Sequence, residues 1–287
     1  MRTITSVHTA TTAHWVGNGF PVSSQFSYQR DGAERISPFL LLDYAGPVQF
    51  GPAQIARGVG SHPHRGFETV TLVYQGELEH KDNAGHGGTI GAGEVQWMTA
   101  GAGIVHEEFH SANFAKTGGT LEMVQLWVNL PAQHKATPPA YQSLTKAELP
   151  WHALNSGRST LRVVAGSYPN ATGTLIVGPA ATHSDLLVAD IGLAAGESHT
   201  LRLAKTWNLM ITVLQGTVLV NGSEIARDAT TLTFAQNHEQ VLLEANNNAR
   251  LLITAGAPLD EPVVGYGPFV MNTWQEIETA MKDFAAL

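Results

Sequence analysis

Short apolar segments separated by glycine-rich turns recur along this chain, and they constrain its fold more than any other feature. The 29 glycines are spread through 287 residues, and few segments show the 3.6-residue apolar period of a long helix. Residues 69–74, TVTLVY, are β-branched or aromatic in the main and end at a Gln-Gly turn. Strands of this length between tight turns are typical of small barrels and jelly rolls. An all-β protein is therefore predicted, with one short helix from Trp274 to about Ala286.

The composition excludes several classes of function. The formal charge of −8 and the sequence pI near 5.9 leave no broad basic surface for nucleic acid or for an anionic membrane. The absence of cysteine excludes disulfides, thiolate metal sites and cysteine nucleophiles. The chain begins without the pattern of a signal peptide, and no apolar run approaches the roughly 18 residues of a membrane span. A cytoplasmic protein without direct contact to DNA, RNA or membrane is expected.

The apolar pattern breaks once, in the middle of the chain. Residues 131–152 are rich in proline and polar side chains, and strand-like segments resume from Leu161. A change of this kind is typical of a connection between domains. We predict two domains, an N-terminal metal-binding one of residues 1–133 and a C-terminal one of residues 134–287 that ends in the helix.

Two histidine motifs lie beside glycine-rich bends at the spacing of barrel strands. His62 and His64 are separated by one proline, so both imidazoles lie on one face of an extended strand. Residues 101–110 read GAGIVHEEFH, and the same alternation places His106 and Glu108 on a common face. If the two strands lie close together in a barrel, three imidazole nitrogens and one carboxylate can bind one ion. The sequence therefore predicts a metal site of these four residues.

The ligand types restrict the choice of metal. Imidazole and carboxylate groups suit iron(II), manganese, nickel, copper or zinc, whereas calcium and magnesium prefer oxygen ligands. Four protein ligands on a barrel wall leave positions where water, substrate or dioxygen could bind. One divalent transition metal is the expected cofactor. Glu68, four residues after His64, is an alternative carboxylate ligand; Glu108 is preferred because it shares strand and parity with His106.

A ligating histidine usually donates its second N–H to a carboxylate or carbonyl group. Four residues are candidates for orienting the ligands in this way: Glu68, Gln96, Gln125 and His110. For the first three, an ordinary buried and hydrogen-bonded polar group is an equally good interpretation. His110 is expected near solvent at a strand end. His80, which stands between two charged residues, is expected at the surface.

The two halves of the chain resemble each other around a shared strand end. Residues 72–78, LVYQGEL, align with residues 213–218, VLQGTV, so that Gly76 matches Gly216. Equal steps from this anchor, and a looser match of the later strand, give three pairs: Arg202 opposite His62, Ala204 opposite His64 and Leu242 opposite His106. The sequence predicts two barrels of one design, of which only the first binds metal.

Four segments of the chain resemble the pirin family of the cupin superfamily: HPHRGFETVTLVYQGELEHKDNAG, VQWMTAGAGIVHEE, LWVNLPAQHKATPPAYQ and GYGPFVMNT. The resemblance runs over nearly the whole chain. It implies a bicupin, with two antiparallel β-barrels and iron or another divalent metal in the N-terminal one. Carried over residue by residue, the three histidines and the glutamate of the family fall on the residues already named: His62, His64, His106 and Glu108. The chain departs from the family pattern at Glu107, where relatives often carry a small residue, and at His110.

The same resemblance implies a function. Some pirins are similar in activity to quercetin 2,3-dioxygenases, which open a flavonol ring with dioxygen and release carbon monoxide. By this resemblance Glu108, or a nearby carboxylate, is the catalytic group that accepts the substrate hydroxyl proton. The expected function is a dioxygenase that acts on a small aromatic substrate. The alternative is a metal-sensing regulator that binds a transcription factor or a metabolic enzyme; a sugar isomerase or other non-oxygenase cupin fits the motifs less well.

Overall fold

A computed structural model describes residues 1–10, 12–154 and 157–285 of the chain. The chain forms two compact units, each assembled from three segments. We call the first the histidine unit, since it contains the predicted site; it comprises Thr12–Ser23, Leu40–Lys146 and Leu259–Leu287. The second, the apolar unit, comprises Met1–Thr11, Ser24–Phe39 and Ala147–Pro258.

The histidine unit contains a seven-stranded sheet in the order β12-β9-β6-β11-β4-β3-β2 and a four-stranded sheet in the order β5-β10-β7-β8. Its strands are β2 (His14–Val16), β3 (Phe20–Ser27), β4 (Phe39–Phe50), β5 (Gly58–His64), β6 (Phe67–Gln75), β7 (Glu77–Asp82), β8 (Gly87–Gly91), β9 (Val95–Thr99), β10 (Ile104–His110), β11 (Gly119–Asn129) and β12 (Ala140–Leu144). The strands β3 and β4 begin or end across the boundary between the two units. A short helix, α3 (Ala112–Thr117), and a 3₁₀ turn (Ala132–His134) complete the connections.

The core of the histidine unit lies between its two sheets. Val73 and Met123 from the larger sheet pack in one cluster with Leu78 and Ile90 from the smaller one. Residues on both faces of β6 are buried, from Phe67 to Val73. The core is therefore enclosed between two packed sheets, which is the arrangement of a cupin barrel.

A C-terminal hairpin is attached directly beside the predicted site. It consists of β25 (Val264–Tyr266) and β26 (Phe269–Met271), followed by the helix α4 (Trp274–Ala285). The backbone N–H of Val270 donates to the carbonyl of Arg65, the residue that follows His64. The buried ammonium of Lys135 donates to the carbonyl of Val270 at 2.9 Å and to that of Gly66 at 2.7 Å. The hairpin is thus fixed by backbone and side-chain bonds to the end of β5.

The apolar unit repeats the same architecture. Its seven-stranded sheet has the order β1-β22-β19-β24-β17-β14-β13, and its four-stranded sheet has the order β18-β23-β20-β21. Its strands are β1 (Ile4–Thr9), β13 (His152–Ala153), β14 (Thr160–Ala165), β15 (Ser167–Pro169), β16 (Leu175–Val177), β17 (Leu186–Leu193), β18 (Ser198–Arg202), β19 (Asn208–Gln215), β20 (Val218–Val220), β21 (Glu224–Ala226), β22 (Thr230–Phe234), β23 (Gln240–Ala245) and β24 (Ala249–Gly256). Two short helices, α1 (Tyr28–Asp31) and α2 (Ala33–Ile36), precede its main segment.

The predicted fold class is confirmed: the chain is all-β, with two antiparallel cupin-type barrels and a short C-terminal helix. The helix runs from Trp274 to Ala285, and the predicted end at Ala286 lies outside the described residues. No helix in the described part of the chain is long and apolar enough to cross a membrane.

The compact units do not follow the contiguous division into residues 1–133 and 134–287. Strand β1 pairs with β22 and so belongs to the apolar unit, although it lies near the start of the chain. The segment from Leu259 onwards belongs to the histidine unit, because its hairpin bonds to Arg65. The proline-rich stretch also contributes a strand, β12, which pairs with β9. Pairing between strands that are distant in sequence decides which residues belong to each unit, and the local composition of the chain contains no sign of that pairing.

Candidate metal centre

The predicted ligand strands β5 and β10 are neighbours in the four-stranded sheet. His106 lies directly opposite His62, and Ile104 lies opposite His64. Between His106 and Glu108 the register shifts by one residue, so that Glu108 pairs with Val59. On its other side β10 pairs with β7 without a shift, so the extra residue belongs to β5. The alternation along β10 is therefore preserved, and His106 and Glu108 share a face, as predicted.

Three imidazoles meet at this point of the sheet. One ring nitrogen each of His62, His64 and His106 lies within 4.8 Å of the other two, and His64 and His106 are buried. The ring centroids of His62 and His106 are 4.4 Å apart, and those of His64 and His106 are 5.0 Å apart. The arrangement can bind a metal ion, because three imidazoles at this spacing can share one cation.

Hydrogen bonding tests whether the histidines suit a metal. His62 Nδ1 donates to the carbonyl of Gly60 at 2.9 Å, which leaves its Nε2 lone pair for another partner. Gly60 lies in the bulged part of β5, so the bulge supplies the orienting carbonyl. Neither ring nitrogen of buried His106 has a hydrogen-bond partner among the described residues. A buried nitrogen without a partner is costly, and a metal ion bound to one nitrogen of the ring would satisfy that nitrogen. The three side chains therefore fit a metal ion.

The local electrostatics keep these imidazoles neutral. Burial lowers the pKa of His64 to about 3 and that of His106 to about 2, and the neighbouring imidazoles act in the same direction. Burial also lowers the pKa of His62. A neutral imidazole is the form that binds metal, so no proton has to be displaced from these groups near neutral pH.

Glu108 lies outside the group of three histidines, but it lines the same cavity as His62 and His64 and contacts one polar neighbour, Thr71. Its Oε1 is 3.5 Å from the hydroxyl of Thr71, and that hydroxyl donates to Oε1 of Gln125 at 2.8 Å. Burial raises the pKa of Glu108 to about 7, although the bond from Thr71 lowers it. A carboxyl group with this pKa can both accept and return a proton near neutral pH.

A cavity of about 430 Å³ opens onto the cluster. His62, His64, Glu108 and Gln125 line it together with a mainly apolar wall: Val16, Phe20, Val22, Leu41, Asp43, Val59, Leu78, Met123, Trp127, Gly267 and Pro268. The Trp127 ring packs against Phe67 with centroids 4.3 Å apart, which holds it in place. A cavity of this size, apolar with a few polar groups, is typical of a site for a small organic ligand.

Glu68, the alternative ligand, does not join the cluster. Thr71 faces the cavity, and Glu68 stands three positions earlier on the same regular strand, so its side chain points to the opposite face. There it is 1% exposed and accepts a bond of 2.7 Å from the Thr99 hydroxyl. Burial raises its pKa to about 7. The structure thus places Glu68 in a hydrogen-bonded network on the far side of the sheet.

The other three candidates lie in different surroundings. Gln125 lines the cavity, and its Oε1 accepts a hydrogen bond from the Thr71 hydroxyl. Gln96 lies opposite Thr71 in the sheet and is buried on the cavity side, and the described part of the chain offers no partner for its Nε2. His110 is 2% exposed, donates from Nε2 to the Gly19 carbonyl, and packs against three aromatic rings: Phe20, Phe50 and Phe114. The expectation of a solvent-exposed His110 was wrong, and its ring is not part of the histidine cluster.

Sequence reasoning missed a second polar group on the neighbouring strand β7. His80 lies opposite Glu108, and Asp82 lies opposite His106. Both are buried, and the His80 ring packs against Tyr141 with centroids 5.0 Å apart. The expectation of a surface position for His80 was wrong. The segment ELEHKD carries the signal that could have found it, because Leu78, His80 and Asp82 alternate with exposed charged residues.

The apolar unit contains no equivalent of the cluster among the described residues. The buried positions of β18 and β23 are apolar, with Leu201 opposite Val241. Arg202 is exposed and Leu242 is half-buried, and each stands next to one of these core residues along its strand. The residues that we matched to His62 and His106 therefore do not point into the interior of this barrel. The mismatch arises because five residues join β18 to β19, where two join β5 to β6. The interior of this barrel is filled by leucine, valine and isoleucine.

The chain is similar to known proteins over most of its length. The family model described as Pirin matches residues 19–128, and that described as the Pirin C-terminal cupin domain matches residues 188–287. A Pseudomonas aeruginosa protein, provisionally named a quercetin 2,3-dioxygenase, is 54% identical over 99% of this chain and 97% of its own length. A pirin-like protein of Caulobacter vibrioides is 38% identical over 88% of this chain and 87% of its own length. The crystal structure of a quercetin 2,3-dioxygenase from Acinetobacter baumannii has a TM-score of 0.95 at 49% identity, and the match covers 100% of this chain and 97% of that one.

Proposed function

The chain belongs to the pirin family, and from that premise we propose that it is a metal-dependent dioxygenase that opens flavonol-type substrates with dioxygen. The observation that carries the proposal is the cluster of three neutral imidazoles, with Glu108 beside it, at the wall of a mainly apolar cavity. The name of the A. baumannii relative, a quercetin 2,3-dioxygenase, supports the same substrate class.

His62, His64, His106 and Glu108 would hold one divalent transition metal. Iron is the first choice, and manganese, nickel, copper and zinc are alternatives with the same ligand preferences. When bound, the metal supplies a Lewis acid for an enolate oxygen and a centre that can exchange electrons with dioxygen. His106 supports the proposal of a bound metal, because neither of its buried ring nitrogens has a hydrogen-bond partner among the described residues and one of them could bind the ion.

The residues of the chain supply the rest of the chemistry. Glu108 accepts the proton of the substrate hydroxyl, which its raised pKa permits near neutral pH. The apolar wall excludes water from the reacting ring, and Trp127 offers an aromatic surface that Phe67 holds in position. Substrate and dioxygen are the expected small-molecule partners, and a cytoplasmic location stays a prediction from the sequence.

The test combines elemental analysis with an oxygen electrode. Protein purified without added metal, and protein reconstituted with iron(II), is given quercetin while oxygen uptake and carbon monoxide release are recorded. We expect about one metal per chain in the wild type and in His238→Ala, because His238 is an exposed histidine outside the site. His106→Ala should lose both the metal and the oxygen uptake.

The outcomes separate the two main candidate functions. Metal-dependent uptake that disappears only in His106→Ala supports the dioxygenase. A fully metallated protein that consumes no oxygen with quercetin or related flavonols refutes the dioxygenase and favours the regulatory alternative. A chain that takes up no transition metal refutes the site itself.

A further inference from the structure

Gln125 and Thr71 form a buried hydrogen-bonded pair beside Glu108. They stand directly opposite each other on the paired strands β11 and β6. Thr71 is 1% exposed, and its hydroxyl lies 2.8 Å from Oε1 of Gln125 and 3.5 Å from Oε1 of Glu108. One hydroxyl group therefore contacts both the amide and the carboxyl group.

The bond from Thr71 sets the orientation of the amide. A threonine hydroxyl has one proton, and its shorter bond runs to the Gln125 oxygen. The amide nitrogen of Gln125 is consequently turned away from Thr71, and it forms no hydrogen bond within the described part of the chain. Gln125 is half-buried and lines the cavity. Two N–H donors thus border a mainly apolar space, where an acceptor on a ligand would satisfy them.

The arrangement places a hydrogen-bond donor next to a proton acceptor. Glu108 can accept from a hydroxyl group, and Gln125 can donate to a carbonyl oxygen a short distance away. Trp127 stands two residues after Gln125, so it lies on the same face of β11 and provides an aromatic surface beside the donor. A planar aromatic molecule with a hydroxyl and a carbonyl on neighbouring carbons matches this set.

We propose that Gln125 determines substrate specificity by donating from Nε2 to the carbonyl oxygen adjacent to the hydroxyl that faces Glu108. Thr71 is the positioning residue that holds the amide in the donating orientation. This inference rests on the proposed function and deepens it, since it names the group on the substrate that the site recognises. It also explains why a polar pair is kept in a cavity that is otherwise mainly apolar.

The test measures binding without turnover. The full-length, metal-loaded protein is titrated under anaerobic conditions with 3-hydroxyflavone, which has the carbonyl, and with a flavan-3-ol, which lacks it. Quenching of tryptophan fluorescence reports binding, because Trp127 lines the cavity. Gln125→Met removes the donor at similar volume. Thr71→Val removes the hydroxyl at nearly equal shape, and Thr71→Ser restores it. The metal content of each variant is measured in parallel.

We expect Gln125→Met to weaken 3-hydroxyflavone binding about three- to tenfold, the effect of one hydrogen bond, and to leave flavan-3-ol binding unchanged. Thr71→Val should act in the same direction, and Thr71→Ser should recover wild-type affinity. Unchanged flavonol binding in Gln125→Met, or equal losses for both ligands, would overturn the role of Gln125. Should Gln125→Met not fold, the valine and serine variants decide by the same comparison. A wild-type protein that binds no flavonol would instead refute the proposed function.

Discussion

The dependence of metal affinity on pH should reveal a single proton, contributed by Glu108. The perturbation is a shift from about pH 8 to about pH 5.5, over which imidazoles with the ordinary pKa of about 6.5 would become protonated. In this chain burial lowers the pKa of His64 to about 3 and of His106 to about 2, and it lowers that of His62 as well. Burial raises the pKa of Glu108 to about 7, so Glu108 gains a proton in this range, whereas buried His64 and His106 stay neutral.

The magnitude follows from proton competition. A group with a pKa of about 7 reduces the fraction of competent site about 30-fold between about pH 8 and about pH 5.5. Three histidines with ordinary pKa values would together reduce it about 1,000-fold over the same range. The sign is the same for both, because protonation removes a lone pair or a negative charge that favours the cation. The expected loss of affinity is therefore about 30-fold.

Cobalt(II) titrations of metal-free protein, followed by visible absorption, provide the measurement. Glu108→Gln has no carboxyl group to protonate, so its affinity should be lower at about pH 8 but change less over the range than that of the wild type. Circular dichroism at each pH controls for loss of fold. A 1,000-fold loss in the wild type, or an unaltered slope in Glu108→Gln, would refute the reasoning.

Two further predictions concern stability, each with a matched control. Arg162→Met should lower the free energy of unfolding by about 3–5 kcal/mol in urea titrations, because it removes the buried guanidinium that pairs with the buried carboxylate of Asp190. Arg158→Met should cost less than about 1 kcal/mol, because the Arg158 side chain is 66% exposed; equal costs would contradict this. Gly66→Ala places a Cβ 2.0 Å from a backbone carbonyl oxygen of the C-terminal hairpin. Gly85 has the same φ of +89° with no atom within 4 Å, so Gly85→Ala should lower the free energy of unfolding by about 1 kcal/mol and Gly66→Ala by clearly more. Similar melting temperatures for the two alanine variants would show that the hairpin yields without cost.

Alternation with period two explains what the sequence could predict about the site. It placed His62 and His64 on one face of their strand, and His106 and Glu108 on one face of a second strand. The structure brings the three histidines together. The prediction for β10 survived because the extra residue of the bulge lies in β5. Had the bulge fallen in β10, the same pattern would have pointed Glu108 away from the cavity.

Burial was harder to predict than facing. The charged neighbours of His80 and the strand-end position of His110 suggested exposure. Both are buried, because Tyr141 covers His80 and a phenylalanine cluster covers His110. Contacts of this kind join residues far apart in the sequence, so no local pattern contains them. The composition of the two units could not be predicted for the same reason.

The crossed composition of the histidine unit has a consequence during synthesis. The hairpin that bonds to Arg65 emerges from the ribosome only after the entire main segment of the apolar unit has been made. Until then the Val270 carbonyl that Lys135 bonds and the Pro268 carbonyl that accepts from the N–H of Arg65 are missing, and the cavity lacks the part of its rim formed by Gly267 and Pro268. The nascent chain can complete its apolar barrel first, since that barrel depends only on residues up to Pro258. The cavity is therefore completed only after the residues of the apolar barrel have been synthesised.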